Sequence, residues 1–225
     1  MSMNIVFFGP PGSGKGTYAS RAGPQIGIPH ISTGDLLRAE VAAGSKLGKE
    51  AEGYMKEGDL VPDKLVINMV EQRLKENDAK KGFILDGFPR TIEQMKDIEK
   101  FTEINLVINL HMPDEMLVEK ALARVICEKC GQIYNLADIN RNGVHLPPLL
   151  PKKEGICDKC GGKLIHRKDD NEATIRDRIE VYRKQSEPLL KYYYKKKLVK
   201  DVKVVGSPDI MVPIILKEIK SALKI

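Results

Sequence analysis

Two different periods of apolar and polar positions run along this chain, and the points where one gives way to the other mark its elements. Short continuous apolar runs bounded by glycine or proline read as strands buried on both faces: "NIVFFG" at residues 4–9, "GFILD" at 82–86 and "NLVINLHM" at 105–112. "IPHISTGD" at 28–35 and "VKVVGS" at 202–207 complete five predicted strands. Between them apolar residues recur at helical spacing in "LLRAEVAAG", "LGKEAEGYM" and "DKLVINMVEQRL", and again from Glu172 to about Lys197. The first helix should open after Gly14 and be cut short by Gly23 and Pro24. Thr33 or Asp35 should cap the next, and Pro188 should kink the late helical stretch. Strands alternating with helices predict an α/β fold, a parallel sheet covered by helices on both faces. Residues 127–165 break the rhythm. Cys, Gly, Pro and Asn crowd there, which predicts a small inserted module.

Composition narrows the class. With 42% hydrophobic and 30% charged residues the chain is an ordinary globular one, and with no Trp its core must rest on Ile, Leu, Val, Met and a few Phe and Tyr. A net charge of +6 suits a polyanion, either nucleotide phosphates or nucleic acid. No apolar run reaches about 18 residues, and no charged segment precedes a long apolar stretch. The expected protein is therefore soluble and cytoplasmic, without a membrane partner.

The strand "NIVFFG" runs directly into "PPGSGKGT", which nearly fits the phosphate-binding pattern G-x-x-x-x-G-K-[ST] through Gly9, Gly14 and Lys15. Such a loop turns backbone N–H groups toward phosphate oxygens and feeds a helix N-terminus. Gly16 stands where a Ser or Thr hydroxyl normally meets Mg²⁺. Mg²⁺ keeps several waters and takes few protein ligands, so a carboxylate reaching those waters can substitute. Asp86 is placed for this at the end of "FILD", although an Asp there also suits a helix cap.

"GPPGSGKGT", "ISTGDLLR", "LVPD", "LDGFPRT" followed by Gln94, and "RKDDNEATIRDRI" occur in the order found in adenylate kinases, which the chain resembles over nearly its whole length. Its cysteine pairs resemble the zinc-containing long form. The resemblance implies a P-loop NTPase-type core at residues 1–32, 63–123 and 169–225. It further implies an inserted helical arm binding the monophosphate at 33–62 and a zinc-binding lid at 124–168. The implied reaction is ATP + AMP ⇌ 2 ADP with Mg²⁺ carried on the nucleotide, in a monomer that binds no nucleic acid.

By the same resemblance, ATP is bound by Gly12, Ser13, Gly14, Lys15, Gly16, Thr17, Arg124 and Tyr134. AMP is bound by Thr33, Arg38, Val61, Gly87, Arg90, Gln94, Arg167 and Arg178. Lys15, Arg90, Arg124, Arg167 and Arg178 stabilise the transferring group, and Asp86 holds metal waters. The chain departs from the pattern in "EKALARVIC". Lys120 stands where long-form members carry an arginine that packs on the ATP adenine, and Val125 replaces a second arginine. Asp59 replaces a lysine, a change expected at the surface.

Cys127, Cys130, Cys157 and Cys160 form C-x₂-C…C-x₂-C with glycine after each pair. Four thiolates suit a structural Zn²⁺ with no open position, ahead of redox-active dithiols or plain thiols. The spacer, residues 131–156, exceeds the usual 15–20 or so, and residues 136–151 read as a loop insertion. His30 and His111 fall on strand patterns and read as packing or capping residues. "KYYYKKKLVKDVK" interleaves aromatics with lysines, as single-strand binders do, yet reads better as the solvated end of a helix whose tyrosines pack inward. Two rivals follow: a kinase for UMP, CMP or GMP, and a nucleotide-switched RNA-binding protein.

Overall fold

The computed structural model describes residues 2–167 and 169–224; Lys168 of the "RKDD" motif lies outside them. The chain runs through β1 (Met3–Phe8), α1 (Lys15–Ile26), β2 (His30–Ser32), α2 (Thr33–Ala42), α3 (Lys46–Glu57), α4 (Asp63–Leu74), β3 (Gly82–Asp86), α5 (Ile92–Ile98), β4 (Leu106–His111) and α6 (Asp114–Leu122). A small β module follows: β5 (Arg124–Cys127), β6 (Ile133–Asn135), β7 (Ile139–Arg141), β8 (Val144–Leu146) and β9 (Leu164–Ile165). The chain ends in α7 (Glu172–Val181), α8 (Glu187–Lys195), β10 (Val199–Lys203) and α9 (Pro208–Leu223).

The central sheet has the order β10-β4-β1-β3-β2, and all its pairings are parallel. Ile5 to Phe8 are each at most 4% exposed, which is why this strand reads as an unbroken apolar run. Ile5 and Phe7 join the core on one face with Ile84 and Ile108; Val6 and Phe8 join the other with Leu85 and Val107. In register, Phe7 lies beside Asp86 and Asp86 beside Ser32. The loops leaving β1, β3 and β2 therefore emerge together at the carboxyl edge, the crevice where such sheets bind ligands.

Several local expectations need correction. α1 passes through Gly23 and Pro24, because Pro24 falls in its last turn and the stop is Gly27, left-handed at φ 72°, whose N–H caps the Gly23 and Pro24 carbonyls. Gly23 is instead a close-approach position, since a Cβ there would lie 2.7 Å from the Ile28 carbonyl oxygen. The cap of α2 is Ser32, whose Oγ accepts from the Asp35 N–H at 3.3 Å; Thr33 is buried and engaged elsewhere. Pro188 sits in the first turn of α8, where its missing N–H costs nothing, and the irregularity is a wide π turn over Tyr182–Ser186. β10 begins at Val199, earlier than "VKVVGS" suggests: it is an edge strand with only Val202 fully buried, so its apolar signal is thin.

The expected loop at 136–151 is also different. β7 and β8 form a hairpin closed by Asn142 and Gly143, both left-handed at φ 54° and 75°. Ile139, Val144 and Leu146 bury against the main core. In the basic stretch Tyr193 packs inward at 1% exposure, whereas Tyr194 is exposed and donates to Asp201. His111 is likewise exposed and pairs with Asp201, so it neither packs nor caps.

Candidate active site

One long cavity follows the carboxyl edge of the sheet from the N-terminus of α2 to the β7–β8 hairpin. The phosphate loop lies at its middle. Gly12 and Gly14 are left-handed at φ 85° and 94°, and a Cβ on Gly12 would meet the Leu117 carbonyl oxygen at 2.5 Å. Lys15 opens α1 and folds back to donate to the Gly9 and Pro10 carbonyls at 2.7 and 3.0 Å. Desolvation in the cavity lowers its ammonium to about 8, against the pull of Asp86 and aided by Arg90 and Arg124.

Gly16 has a steric reason that the motif alone does not reveal. A Cβ at this position would stand 3.1 Å from Asp86 Oδ2. That contact is tight, so any side chain at residue 16 would press on the carboxylate and displace it by a few tenths of an ångström. Asp86 is held below the usual carboxylate range although burial opposes this; His30 and Lys15 supply the compensation. His30 Nε2 lies 3.5 Å from Asp86 Oδ2, which makes it a neighbour of the site and not the packing residue expected.

Past the loop, Thr33 donates to the Gly87 carbonyl at 2.9 Å and is 2% exposed. Gln94, equally buried, donates to Asp63 Oδ1 at 2.7 Å and accepts from the Arg90 N–H at 2.7 Å. Each of its amide atoms keeps one hydrogen-bonding position unused. The Phe88–Pro89 peptide is cis, and Arg90 Nε donates to the Gly87 carbonyl at 2.7 Å.

Lys15, Arg38, Arg90, Lys120, Arg124, Arg167 and Arg178 all line this cavity. Carboxylates hold most of the arginines from behind. Asp35 takes Arg38 at 2.5 Å and Arg167 at 3.8 Å; Asp169 takes Arg178 at 2.6 Å; Asp170 takes Arg124 through Nε at 2.8 Å. Arg167 is lowered to about 9 by desolvation, then by Arg124 and Arg38. Crowding cations against one another is costly unless an anion joins them, so the cavity is built for polyphosphate.

Of the residues expected to bind nucleotide, Gly12, Gly14, Lys15, Gly16, Thr17, Thr33, Arg38, Val61, Asp86, Gly87, Arg90, Gln94, Arg124, Arg167 and Arg178 converge on the cavity. Two side chains do not. That of Ser13, a residue expected to serve through its backbone N–H in the loop, is fully buried with its Oγ unpartnered, wedged where a Cβ on Gly9 would be 2.8 Å away. Tyr134 points into the small β module, where its hydroxyl accepts from the Asp158 N–H at 2.8 Å; strand alternation turns Ile133 and Asn135 to the cavity instead. Val125 packs against Tyr134 in the same small core, which accounts for an apolar residue there. Asp59 is exposed, at the cavity rim. Sequence reasoning missed the four backing acids. All four stood inside quoted motifs, Asp63 in "LVPD", but only Asp35 and Asp169 share a motif with the arginines they hold; Asp170 reaches Arg124 and Asp63 reaches Gln94 across the fold.

In the small β module the four cysteine sulfurs lie within 4.8 Å of one another, with Cys127–Cys160 at 3.5 Å and Cys130–Cys157 at 3.6 Å. Tetrahedral Zn–S bonds of about 2.3 Å require S–S edges of about 3.8 Å. Against desolvation, the N–H groups of Lys159 and Cys160 and the Tyr134 hydroxyl lower the Cys157 thiol to about 6. A Cβ on Gly162 would be 2.8 Å from Cys127 Sγ, so the backbone wraps the sulfurs closely. The donor set and spacing fit a thiolate-bound metal.

A family model described as "Adenylate kinase" matches residues 7–198. Among curated relatives, the adenylate kinase of Thermodesulfovibrio yellowstonii is 53% identical over 212 residues, 92% of this chain and 94% of that one. The adenylate kinase of Archaeoglobus fulgidus is 45% identical over 229 residues, 97% and 100% of the two chains. That of Staphylococcus epidermidis is 47% identical over 92% and 94%.

Proposed function

The chain belongs to the adenylate kinase family and catalyses reversible transfer of the terminal phosphoryl group of ATP to AMP, giving two ADP; we propose the following division of labour among its residues. Phosphoryl transfer asks little covalent chemistry of a protein, so positioning and charge carry the rate. Lys15 exchanges the Gly9 and Pro10 carbonyls for the donor's terminal phosphates, beside the loop's N–H groups. Arg38 and Arg90 clamp the AMP phosphate in the planar geometry a guanidinium offers. Arg124, Arg167 and Arg178 stand around the group in flight, each steadied by its backing acid. Thr33, Gln94 and the backbone at Val61 and Gly87 hold the acceptor base.

Mg²⁺, used with ATP in this family, neutralises the donor phosphates, and Asp86 is the residue that would hold its waters. Cys127, Cys130, Cys157 and Cys160 would hold a structural Zn²⁺, stapling a module too small to support its own core. The core at residues 1–32, 63–123 and 169–225 carries an arm at 33–62 and a lid at 124–168, which close to exclude water. No helix among the described residues is long and apolar enough to cross a membrane, and paired thiols suit a reducing compartment. We therefore read the protein as a cytoplasmic monomer without nucleic-acid partners.

The observation that carries this reading is the single cavity in which the phosphate loop and the Thr33–Gln94 pocket share one ring of cations. It is tested by coupled-assay ADP formation from ATP with AMP, UMP, CMP or GMP. AMP should be preferred by orders of magnitude. Equal rates with another monophosphate would overturn the acceptor assignment.

A further inference from the structure

At the donor end of the cavity two departures from expectation meet. Lys120, at the position where an arginine would lie along a base, turns toward the phosphate loop instead. A Cβ built on Gly14 would stand 2.9 Å from its Nζ, and the ammonium lies 5.3 Å from the centre of the Tyr18 ring. Among the described residues no carboxylate and no hydrogen-bond acceptor engages this ammonium. Desolvation, then Arg124 and Lys15, lower it to about 8. It is a cation crowded by other cations, facing the cavity, whose missing counter-charge an anionic ligand would supply.

The second departure is the hairpin. Ile139 and Leu146 face each other in register, are at most 6% exposed, and both line the cavity. The hairpin is pinned from two sides. Arg141 donates to Glu119 of α6 at 2.6 Å, and the His145 N–H donates to the Val205 carbonyl at 2.9 Å. Asn135 Nδ2 fixes the Lys120 carbonyl at 2.7 Å, so the same region that carries the hairpin also orients the lysine's backbone. With Ala121 and Pro208 also lining this end, the result is an apolar slot suited to a flat heterocycle.

We propose that donor binding in this chain is shared out anew: Lys120 contacts the donor's phosphates, and the inserted hairpin, through Ile139 and Leu146, forms the wall against the donor's base. This rests on the assignment of this cavity end to the donor nucleotide. Two probes separate the roles, magnesium ATP and magnesium tripolyphosphate, which carries the same phosphate chain and no base. Titration calorimetry should show Lys120→Met weakening both probes by similar factors, about tenfold or more. Leu146→Ala should weaken ATP by about tenfold and leave tripolyphosphate within about twofold. In both variants the KM for AMP should stay near that of the parent; the melting profile should stay near it in Lys120→Met and fall in Leu146→Ala, which trims a buried leucine.

Should Leu146→Ala not fold, Leu146→Val shortens the same wall, with about a threefold loss expected for ATP alone. The proposal is overturned if Lys120→Met spares tripolyphosphate, which would return the lysine to the base. It is equally overturned if the hairpin variants leave ATP untouched or weaken both probes alike. A parent protein that binds neither probe and makes no ADP would sink the donor assignment itself, a distinct result.

Discussion

The two ends of the cavity are built by different chemistry. At the acceptor end the side chains are held by hydrogen bonds: Thr33 on the Gly87 carbonyl, Gln94 between Asp63 and the Arg90 backbone, Arg38 on Asp35. At the end proposed for the donor the walls are largely apolar, Ile139, Leu146 and Pro208; Lys120 supplies the charge, and the neutral Asn135 is already engaged by the Lys120 carbonyl and the Ala137 N–H. A site built to hydrogen-bond rejects a mismatched ligand by about 10⁴-fold or more, whereas an apolar slot discriminates by about 10–200-fold. Selectivity should therefore be steep for the acceptor and shallow for the donor, while the phosphate loop serves both.

The largest expected effect falls on that shared centre. Lys15→Met should lower kcat by about 10³-fold or more with the fold retained by circular dichroism, since it removes charge where charge develops. Near-normal turnover would remove the centre from the comparison. Gln94→Leu should come next, reducing kcat/KM for AMP by about 10²-fold while leaving the KM for ATP within about twofold. The variant leaves Asp63 Oδ1 and the Arg90 N–H without their partner, Oδ2 keeping its bond from Thr91, as well as losing the proposed base contact. A parallel loss in ATP binding would show that the two ends are not separable.

The pH dependence sharpens the donor side. Lys15 and Lys120 both titrate near 8 in the free protein, well below the ordinary lysine value, so they lose charge as pH rises through that point. kcat/KM for ATP, which reports the free enzyme, should fall above pH 8 by up to about 100-fold per unit when both lysines count, and by about tenfold per unit in Lys120→Met. A flat profile to pH 10 would contradict the placement of both groups. The smallest effect belongs to the cysteine module. Metal analysis should find close to one equivalent of zinc per chain. Chelation with thiol blocking should lower the melting temperature by about 5–15 °C and raise the KM for ATP more than that for AMP. Unchanged stability after chelation would make the metal incidental.

The same contrast governs what could be seen in the sequence. The acceptor end and the phosphate loop were legible because their residues stand in short contiguous runs, "ISTGDLLR" and "LDGFPRT", where backbone geometry demands glycine, proline and a threonine at fixed offsets. The three inner strands were legible for a related reason: a strand buried on both faces, like Ile5 to Phe8, has no polar position to confuse it, whereas the edge strand β10 was placed too late. The wall proposed for the donor base was not legible. Ile139 and Leu146 become neighbours only because Asn142-Gly143 closes a hairpin that docks on a loop more than fifty residues away, at Val205. Tyr134 failed through a one-residue alternation that spacing cannot decide, and Pro24 and Pro188 failed because proline is tolerated in terminal helical turns.

The central claim is that one cavity brings two nucleotides together, phosphate to phosphate, within a single ring of cations. Two adenosines joined by five phosphates carry one base for each end and a chain long enough to cross the centre. Calorimetry and steady-state inhibition with that molecule test the claim most directly. The account predicts one molecule bound per chain and competition against both ATP and AMP. Two molecules per chain, or competition against one substrate alone, would mean that the two sites do not face each other.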